Sequence, residues 1–168
     1  MTEERRPKIL CDTREQTDRV YIKLMEAEDE TVEIGVKSGG SADYVISDRR
    51  GNLWGIERKA FLDCFSSIIK KESDGDHRIY GQLTQLIKDY GERAIFLLES
   101  PTYFPVQFKK IPPHQIKQTV YTFFSERSLI MPCMMTADKA HTAYLLLKLA
   151  KNIHKTEFHG RKIRVTKD

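Results

Sequence analysis

The residues with the clearest potential for chemistry lie between positions 54 and 63, where a carboxylate and an ammonium stand two residues apart. The first half of this segment has the apolar character of a strand, and successive strand side chains point to opposite faces of a sheet. We therefore expect Glu57 and Lys59 to share one face and Arg58 to point to the other. An isolated Glu-x-Lys triplet is more often a surface ion pair on an edge strand. The surrounding residues must therefore show whether this one belongs to a chemical site.

The flanking residues predict the elements that position this triplet. Residues 42–47 predict a second short strand, and residues 48–52 supply turn chemistry, with Gly51 able to take a positive φ angle. A hairpin of the two strands would bring Asp43 close to Glu57 and Lys59. After the triplet, apolar side chains recur every three or four residues, which predicts a helix over residues 60–70.

An aspartate, a glutamate and a lysine that meet at one end of a sheet could hold a hard divalent cation. Mg²⁺ keeps several waters and accepts one or two carboxylates together with substrate phosphate oxygens. Such an ion polarises a phosphodiester and generates or orients the attacking water, while a lysine stabilises the developing negative charge or the water itself. This combination of residues therefore indicates metal-dependent hydrolysis of a phosphodiester.

The order and spacing of three motifs resemble the nuclease domain of the XPF/Hef structure-specific endonucleases, a branch of the restriction-endonuclease-like superfamily. The motifs are Asp12-Thr13-Arg14-Glu15, Asp43-Tyr44-Val45-Ile46 and Glu57-Arg58-Lys59-x3-Asp63. The resemblance covers residues 9–153 and is sharpest up to residue 90. Two features depart from the family pattern. Ala42 stands where the family usually has glycine, and the interval from Asp43 to Glu57 is longer, which the turn at residues 47–52 can absorb.

The resemblance implies a three-layer α/β fold, with a central mixed β-sheet flanked by helices. It implies an endonuclease that cuts branched DNA near flaps, forks or junctions between single and double strands, with Mg²⁺ or Mn²⁺ as cofactor. Asp43 and Glu57 would bind the metal, with Asp12 close enough to help place the metal or the water. Lys59 would orient or activate the water.

Further residues have supporting roles in this interpretation. Arg14 and Arg58 would contact phosphate or form internal ion pairs. Asp63 would pin the start of its helix or brace Lys59 or Arg58, since residues four apart are within helical reach. By resemblance, Arg78 and Gln82 on the helix at residues 78–90 support the catalytic residues or the DNA backbone. Recognition would then rest on backbone contacts and strand geometry, without base-specific readout.

Length and composition fit one globular domain of 168 residues with a net charge of +4. This mild excess permits nucleic-acid binding without requiring it, so local clusters matter more. Lys70 and Lys71 flank the predicted site and are candidates for phosphate contacts, with solvated surface as the alternative. We expect a nuclease domain at residues 1–155 and a basic C-terminal tail at residues 156–168.

The three cysteines are too few and too scattered for a disulfide framework or a zinc site, and this usage fits a reducing compartment. No signal peptide is visible, and no apolar run approaches the roughly 20 residues that cross a bilayer. We therefore expect an intracellular protein without a membrane association, nuclear in a eukaryote and cytoplasmic in a prokaryotic or viral setting.

Periodicity, turn residues and capping residues predict the remaining elements. A helix is expected from residues 15–18 to about residue 28, although a strand at residues 20–25 is also compatible. Residues 71–77 either link two helices or form a loop over the site that orders when DNA binds. The other expected strands are residues 8–12, 31–37, 94–99 and 129–131. The other expected helices run from residue 112 through 124 and from about residue 137 onward, the last capped by Thr136.

The last expected helix is apolar around most of its circumference at residues 143–150, so it needs cover on more than one face. The sheet of its own domain can cover one face, and intramolecular packing could cover part of the rest. The resemblance implies dimers formed through the nuclease domain. We therefore expect a homodimer, or a heterodimer with a related chain.

Two other interpretations compete with the nuclease. A catalytically inactive DNA-binding partner of the same fold would typically have lost the acidic residues or the lysine, but Asp12, Asp43, Glu57 and Lys59 are all present. A globular interaction protein unrelated to nucleic acid would require three separate motifs to match in order by chance.

Overall fold

Five helices cover the two faces of one mixed β-sheet in the computed structural model, which describes residues 6–16, 18–48, 50–70, 77–100 and 110–155. The strands are β1 Lys8–Asp12, β2 Glu33–Lys37, β3 Tyr44–Ser47, β4 Leu53–Ala60, β5 Ala94–Glu99 and β6 Cys133–Thr136. The helices are α1 Arg19–Glu26, α2 Phe61–Ile69, α3 Arg78–Tyr90, α4 Pro113–Ser128 and α5 Lys139–Lys155. This architecture confirms the expected three-layer α/β fold.

The six strands lie in the order β2-β1-β3-β4-β5-β6. β3 is antiparallel to both β1 and β4, whereas the other neighbours pair in parallel. The hairpin of β3 and β4 forms as expected: Asp48 accepts a 2.8 Å hydrogen bond from the Asn52 backbone N–H, and Gly51 has φ +82°. Parallel β4 and β5 need a crossover, and α2 and α3 provide it on one face of the sheet.

Two apolar layers hold the helices to the sheet. Helices α1 and α5 pack on one face, and α2, α3 and α4 pack on the other. Side chains alternate between the two faces along each strand, so the strands contribute to both layers. Ile56 of β4 packs in the layer with α1 and α5, and Val45 of β3 packs in the layer with α2, α3 and α4. All six residues of β5 are buried, as expected for an interior strand with helices on both faces.

The predicted strand at residues 129–131 is wrong. Leu129 is 89% exposed and Ile130 is 62% exposed, because α4 continues through Ser128 and these residues lie in the turn that follows it. Pairing with β5 begins at Pro132, whose carbonyl accepts a 3.0 Å hydrogen bond from Phe96 N–H, and β6 follows. A three-residue apolar run carries too little periodicity to distinguish a strand from a helix end.

Two predicted features of the helices also need correction. Asp138, not Thr136, caps α5: its Oδ1 accepts a 2.7 Å hydrogen bond from His141 N–H. Thr136 is instead the buried last residue of β6. The spacing of Ile79, Leu83, Leu86, Ile87 and Tyr90 predicts a buried stripe along α3, but Ile87 is 36% exposed and Tyr90 is only partly buried. Residues 19–26 form the helix α1 and not the alternative strand. Asp18 caps this helix, because its Oδ1 accepts a 2.8 Å hydrogen bond from Val20 N–H.

Helix α5 receives more cover from its own chain than we expected. Leu146, Leu147 and Ala150 are buried between the sheet and α1, whereas Tyr144 is 59% exposed. The apolar circumference of α5 therefore does not by itself require a second subunit. In the described ranges, no helix combines the length and apolar character needed to span a membrane. The basic tail at residues 156–168 and the segment at residues 71–76, including Lys71, lie outside those ranges.

Candidate active site

The topology of the sheet gathers the acidic motifs at one edge. Because β3 runs antiparallel to β1 and β4, its start lies beside their ends. Asp43, one residue before β3, accepts a 2.8 Å hydrogen bond at its carbonyl from Asp12 N–H, and its own N–H donates to Ile56 O at 2.9 Å. Asp12 at the end of β1 and Glu57 near the end of β4 are thereby drawn to the same edge as Asp43.

Two adjoining cavities, of about 400 and 370 Å³, open at this edge. Four residues line both cavities: Glu15, Asp43, Lys59 and Arg78. The first cavity extends over α2 and is also lined by Arg58, Ala60, Asp63, Ser66, Ser67 and Lys70. The second extends along α3 and is also lined by Arg14, Gly40, Ser41, Glu57, Gln82 and Gln85. Together they form one polar cleft centred on Asp43 and Lys59.

Asp43 and Glu57 are two shielded carboxylates in this cleft. Burial raises the pKa of Asp43 to about 7, with further contributions from the negative charges of Glu57 and Glu15. Asp43 Oδ2 accepts a 2.8 Å hydrogen bond from Arg58 N–H, which fixes the direction of the carboxylate. Glu57 is only 4% exposed. This local excess of negative charge favours a bound cation.

Lys59 supplies the ammonium of the cleft. Its Nζ lies 3.0 Å from Glu57 Oε1, so these two side chains share a face of β4 as strand alternation predicts. Asp63 stands in the first turn of α2 and lines the cleft, but in the described contacts Lys59 pairs with Glu57 and not with Asp63. Of the three roles open to Asp63, its place in the first turn of α2 agrees with pinning the start of that helix, and the described contacts contain no brace to Lys59 or Arg58.

Arg58 points to the opposite face of β4 and is buried there, with its side chain 8% exposed. Its Nη2 lies 2.7 Å from Asp18 Oδ2 and 3.3 Å from Glu15 Oε2, and its Nη1 lies 3.2 Å from Glu99 Oε2. Of the two expected alternatives, phosphate contact or internal ion pairing, the structure gives this guanidinium the internal ion pairs.

Asp12 is engaged by two cations instead of facing a shared metal position. Its Oδ1 accepts hydrogen bonds from Arg14 Nε at 2.8 Å and from Arg14 N–H at 2.9 Å, and its Oδ2 lies 3.4 Å from Lys37 Nζ. The hydrogen bond from the Arg14 side chain is the main reason why the pKa of Asp12 falls to about 2. Asp12 caps the short 3₁₀ helix Thr13–Glu15, and this local turn captures its carboxylate.

The expected three-carboxylate metal set is accordingly not assembled. Across the ranges that the structure describes, no three histidine, cysteine or acidic side chains converge in a way that could hold a metal ion. Of the three carboxylates expected to bind the metal, Asp43 and Glu57 line the cleft. Asp12 is absent from the lining of both cavities and anchors Arg14, whose side chain is 69% exposed and lines the second cavity.

The expected DNA-binding residues divide between the two cavities. Arg78 begins α3 and borders both cavities, Gln82 borders the second, and Lys70 follows α2 and borders the first. Gln82 Oε1 is buried without a hydrogen-bond partner among the described residues, so it is an acceptor that a ligand could satisfy.

Sequence reasoning missed several residues that shape the site. Glu15 borders both cavities and contributes to the pKa of Asp43; its place in the Asp-x-Arg-Glu motif was a signal that could have identified it. Asp18, Glu99 and Lys37 carry no comparable local signal. They meet Arg58 and Asp12 only because distant elements pack together.

The fold is that of an XPF nuclease domain. A solved structure described as "XPF from Aeropyrum pernix, complex with DNA" matches with a TM-score of 0.64 and 23% sequence identity, over 87% of this chain and 64% of that chain. A second structure, described as "XPF from Aeropyrum pernix", matches with a TM-score of 0.64 and 21% identity, over 86% of this chain and 63% of that chain. The chain thus spans just under two thirds of the length of these relatives.

The family model described as the ERCC4 domain matches residues 11–154, and this chain belongs to that family. The match covers all three motifs on which the sequence resemblance to XPF nucleases rests, and that resemblance is confirmed. A search of the curated proteins gives no match.

Proposed function

We propose that this chain is a divalent-metal-dependent endonuclease that cleaves a DNA strand near a branch, such as a flap, a fork or a junction between single and double strands. The observation that carries the proposal is the meeting of Asp43, Glu57 and Lys59 in one polar cleft. Membership in the ERCC4 domain family supports the nuclease class. The metal dependence and the branched substrate are inferences from the chemistry of the cleft and from the resemblance.

The pair Asp43 and Glu57 fits Mg²⁺ or Mn²⁺. Both ions take oxygen ligands, and a site with only one or two carboxylates leaves positions for water and phosphate oxygens. Negative charge from Glu57 helps to raise the pKa of Asp43, so a cation between the two carboxylates would relieve an existing repulsion. The bound ion would supply a Lewis acid and a water of lowered pKa.

The protein groups around this pair have separable tasks. The Arg58 N–H holds the Asp43 carboxylate in one direction through a 2.8 Å hydrogen bond. Glu57 keeps the Lys59 ammonium in the cleft at 3.0 Å, where it can stabilise negative charge on phosphate or orient the attacking water. Arg14 reaches the cleft mouth while Asp12 fixes its Nε.

DNA would lie along the cleft through contacts to its backbone. Arg14, Arg78 and Lys70 bring positive charge to the lining of the cleft, and Gln82 borders the second cavity. Phosphate contacts of this kind position a nucleic acid without reading its sequence. One structure with this fold is described as a complex with DNA, which supports the same class of ligand for this chain.

The test is a panel of labelled fork, flap and linear DNAs with Mg²⁺, with Mn²⁺, or with a chelator. We expect cleavage of branched DNA only with the metal. Asp43→Asn and Glu57→Gln should reduce the rate by about 10²-fold or more, because each removes the negative charge of a metal ligand, while DNA binding persists. Glu126→Gln on α4, away from the cleft, is the matched control and should cleave normally.

Each failure in this assay has a distinct meaning. Cleavage that survives in Asp43→Asn and Glu57→Gln refutes the ligand assignment. Metal-independent binding of branched DNA without cleavage favours the inactive partner instead. If the chain neither binds nor cuts any DNA in the panel, it has no role on this substrate class.

We also propose that the nuclease works as a homodimer or as a heterodimer with a related chain. β6 is an edge strand, and exposed apolar side chains occur on it, before it and on α5: Leu129, Ile130, Met135 and Tyr144. A contiguous apolar patch formed by such side chains would mark a contact surface. Light scattering at micromolar concentration should give twice the chain mass for the homodimer. A monomeric mass without a partner chain would contradict the homodimer.

A further inference from the structure

A cluster of charges and hydroxyls surrounds the Arg58 side chain, which is 8% exposed, on the face of β4 that points away from Glu57 and Lys59. We call it the Arg58 cluster. Its members are Glu15, Asp18, Arg58, Glu99, Thr136, Lys139 and Thr142. They come from the turn after β1, from the N-terminal cap of α1, from β4, β5 and β6, and from the first turn of α5.

The Arg58 guanidinium is held from three directions by carboxylates of Asp18, Glu15 and Glu99 at 2.7, 3.3 and 3.2 Å. Lys139 Nζ lies 3.1 Å from Asp18 Oδ2 on the α5 side. A planar guanidinium with fixed donor directions, held in this way, has little rotational freedom. The Arg58 side chain is therefore locked between α1, β5 and α5.

Glu99 is in turn held by a hydroxyl chain. The Thr142 hydroxyl donates a 2.9 Å hydrogen bond to Glu99 Oε2, and the Thr136 hydroxyl lies 2.7 Å from that of Thr142. Thr142 is fully buried and Thr136 is 1% exposed. A carboxylate is the stronger acceptor for the single Thr142 proton, so these two hydroxyls fix the orientation of Glu99.

This arrangement is a poor device for stability alone. Three carboxylates face two cations, and buried ion pairs of this kind often contribute no more than apolar side chains of similar volume. The free-energy cost of burying these charges is easier to explain if the orientation of Arg58 is important for the site. Arg58 stands between Glu57 and Lys59 in sequence, and its backbone N–H is the group that holds Asp43 Oδ2 at 2.8 Å.

We infer that Glu99 and Thr142 are positioning residues of the nuclease site: they lock the Arg58 side chain so that its N–H aims the Asp43 carboxylate and its neighbours face the cleft. This inference rests on the proposed function and deepens it. Neither residue borders the cleft among the described residues, so both act through Arg58. Helix α5 thereby contributes to a site to which it supplies no ligand.

The test uses Thr142→Val, which keeps the shape of the side chain and removes the donor to Glu99. Thr142→Ser restores a hydroxyl and serves as the rescue. Thr119→Val on α4 is the matched control, because the Thr119 hydroxyl lies 2.9 Å from the carbonyl four residues before it, Gln115 O, just as the Thr142 hydroxyl lies 3.0 Å from Asp138 O. The readouts are kcat and KM on a branched DNA, and Mn²⁺ binding followed by the electron paramagnetic resonance of free Mn²⁺.

We expect Thr142→Val to lower kcat and to weaken Mn²⁺ binding, each by about 10-fold, which is typical when a group that orients a ligand is lost. KM for DNA should stay within about twofold of the original value, because the phosphate contacts are untouched. Thr142→Ser should recover most of both losses, and Thr119→Val should behave as the unmodified chain.

A Thr142→Val protein with normal kcat and normal Mn²⁺ affinity overturns the inference. A lower melting temperature with unchanged Mn²⁺ affinity also overturns it, since that is the signature of a purely structural cluster. If Thr142→Val fails to fold, Glu99→Gln carries the same test with the same expected losses. If the unmodified chain cuts no DNA, the proposed function fails, and the Mn²⁺ titration still decides whether Glu99 and Thr142 orient Asp43.

Discussion

The packing of α3 on β4 leaves no room for a side chain at Gly55. A Cβ atom at this position would overlap three ring carbons of Tyr90, the most distant of them only 2.6 Å away. Gly55 is buried within β4, and the Tyr90 ring at the end of α3 is partly buried against the same apolar layer. Replacement of Gly55 by alanine must therefore displace an aromatic ring or move the strand away from the helix.

The size of the effect follows from this overlap. Insertion of a methyl group into a close-packed contact costs about 1–3 kcal/mol of unfolding free energy. For a chain of this length each kcal/mol lowers the melting temperature by about 2–4 °C. Gly81→Ala is the matched control, since a Cβ at Gly81 meets no atom within 4 Å. In the middle of α3 it should stabilise the protein by roughly 0.5–1 kcal/mol.

Urea denaturation of a double-mutant cycle checks the reasoning. Tyr90→Ala removes the ring, so Gly55→Ala should cost close to nothing in that background, and the coupling should be about 1 kcal/mol or more. If Gly55→Ala costs the same with and without the ring, contact with Tyr90 is not the cause. If Gly55→Ala and Gly81→Ala change stability in the same direction, the steric explanation is refuted.

Two further predictions concern DNA affinity and acid stability. Lys70→Ala should weaken DNA binding evenly across sequences and reduce the slope of log K against log salt by about one. Lys23→Ala, on the opposite face of the sheet, is the control and should change neither. Fluorescence anisotropy titrations measure the slopes, and a slope unchanged in Lys70→Ala would mean that Lys70 does not contact phosphate. The Lys151 ammonium, 2.5 Å from Asp29, lowers the pKa of Asp29 to about 2. A lowered folded-state pKa gives stability that is present above the unfolded value and is lost as the pH falls towards 2. Asp29→Asn should therefore flatten the loss of melting temperature between about pH 4 and pH 2, and an unchanged pH profile would contradict the role of this pair.

The central motif could be predicted from the sequence because its geometry is local. Strand alternation alone places Glu57 and Lys59 on one face and Arg58 on the other, and the structure has this arrangement, with Lys59 at 3.0 Å from Glu57. The turn at residues 48–52 determines the hairpin, which brings Asp43 to the same edge. The fold class could be predicted for a related reason, because the periodicities of strands and helices are visible in short stretches of sequence.

The sequence could not predict which of several possible partners a charged side chain binds. Asp12 has the residue type of a metal ligand, but a local turn and the ammonium of Lys37 on β2 capture its carboxylate. The strand near residue 130 was misplaced because pairing with β5 begins at Pro132, and only contact with that neighbour defines where it starts.

The sequence by itself determined the three central groups of the cleft, since spacing along a strand and a tight turn are enough to put Asp43, Glu57 and Lys59 together. Only the tertiary structure decided what holds them in place. Glu99 and Thr142 reach Arg58 from β5 and α5, and no spacing within the chain encodes that meeting. The physical reason is that alternation and turns act over a few residues, whereas the orientation of a buried charge depends on every element packed around it.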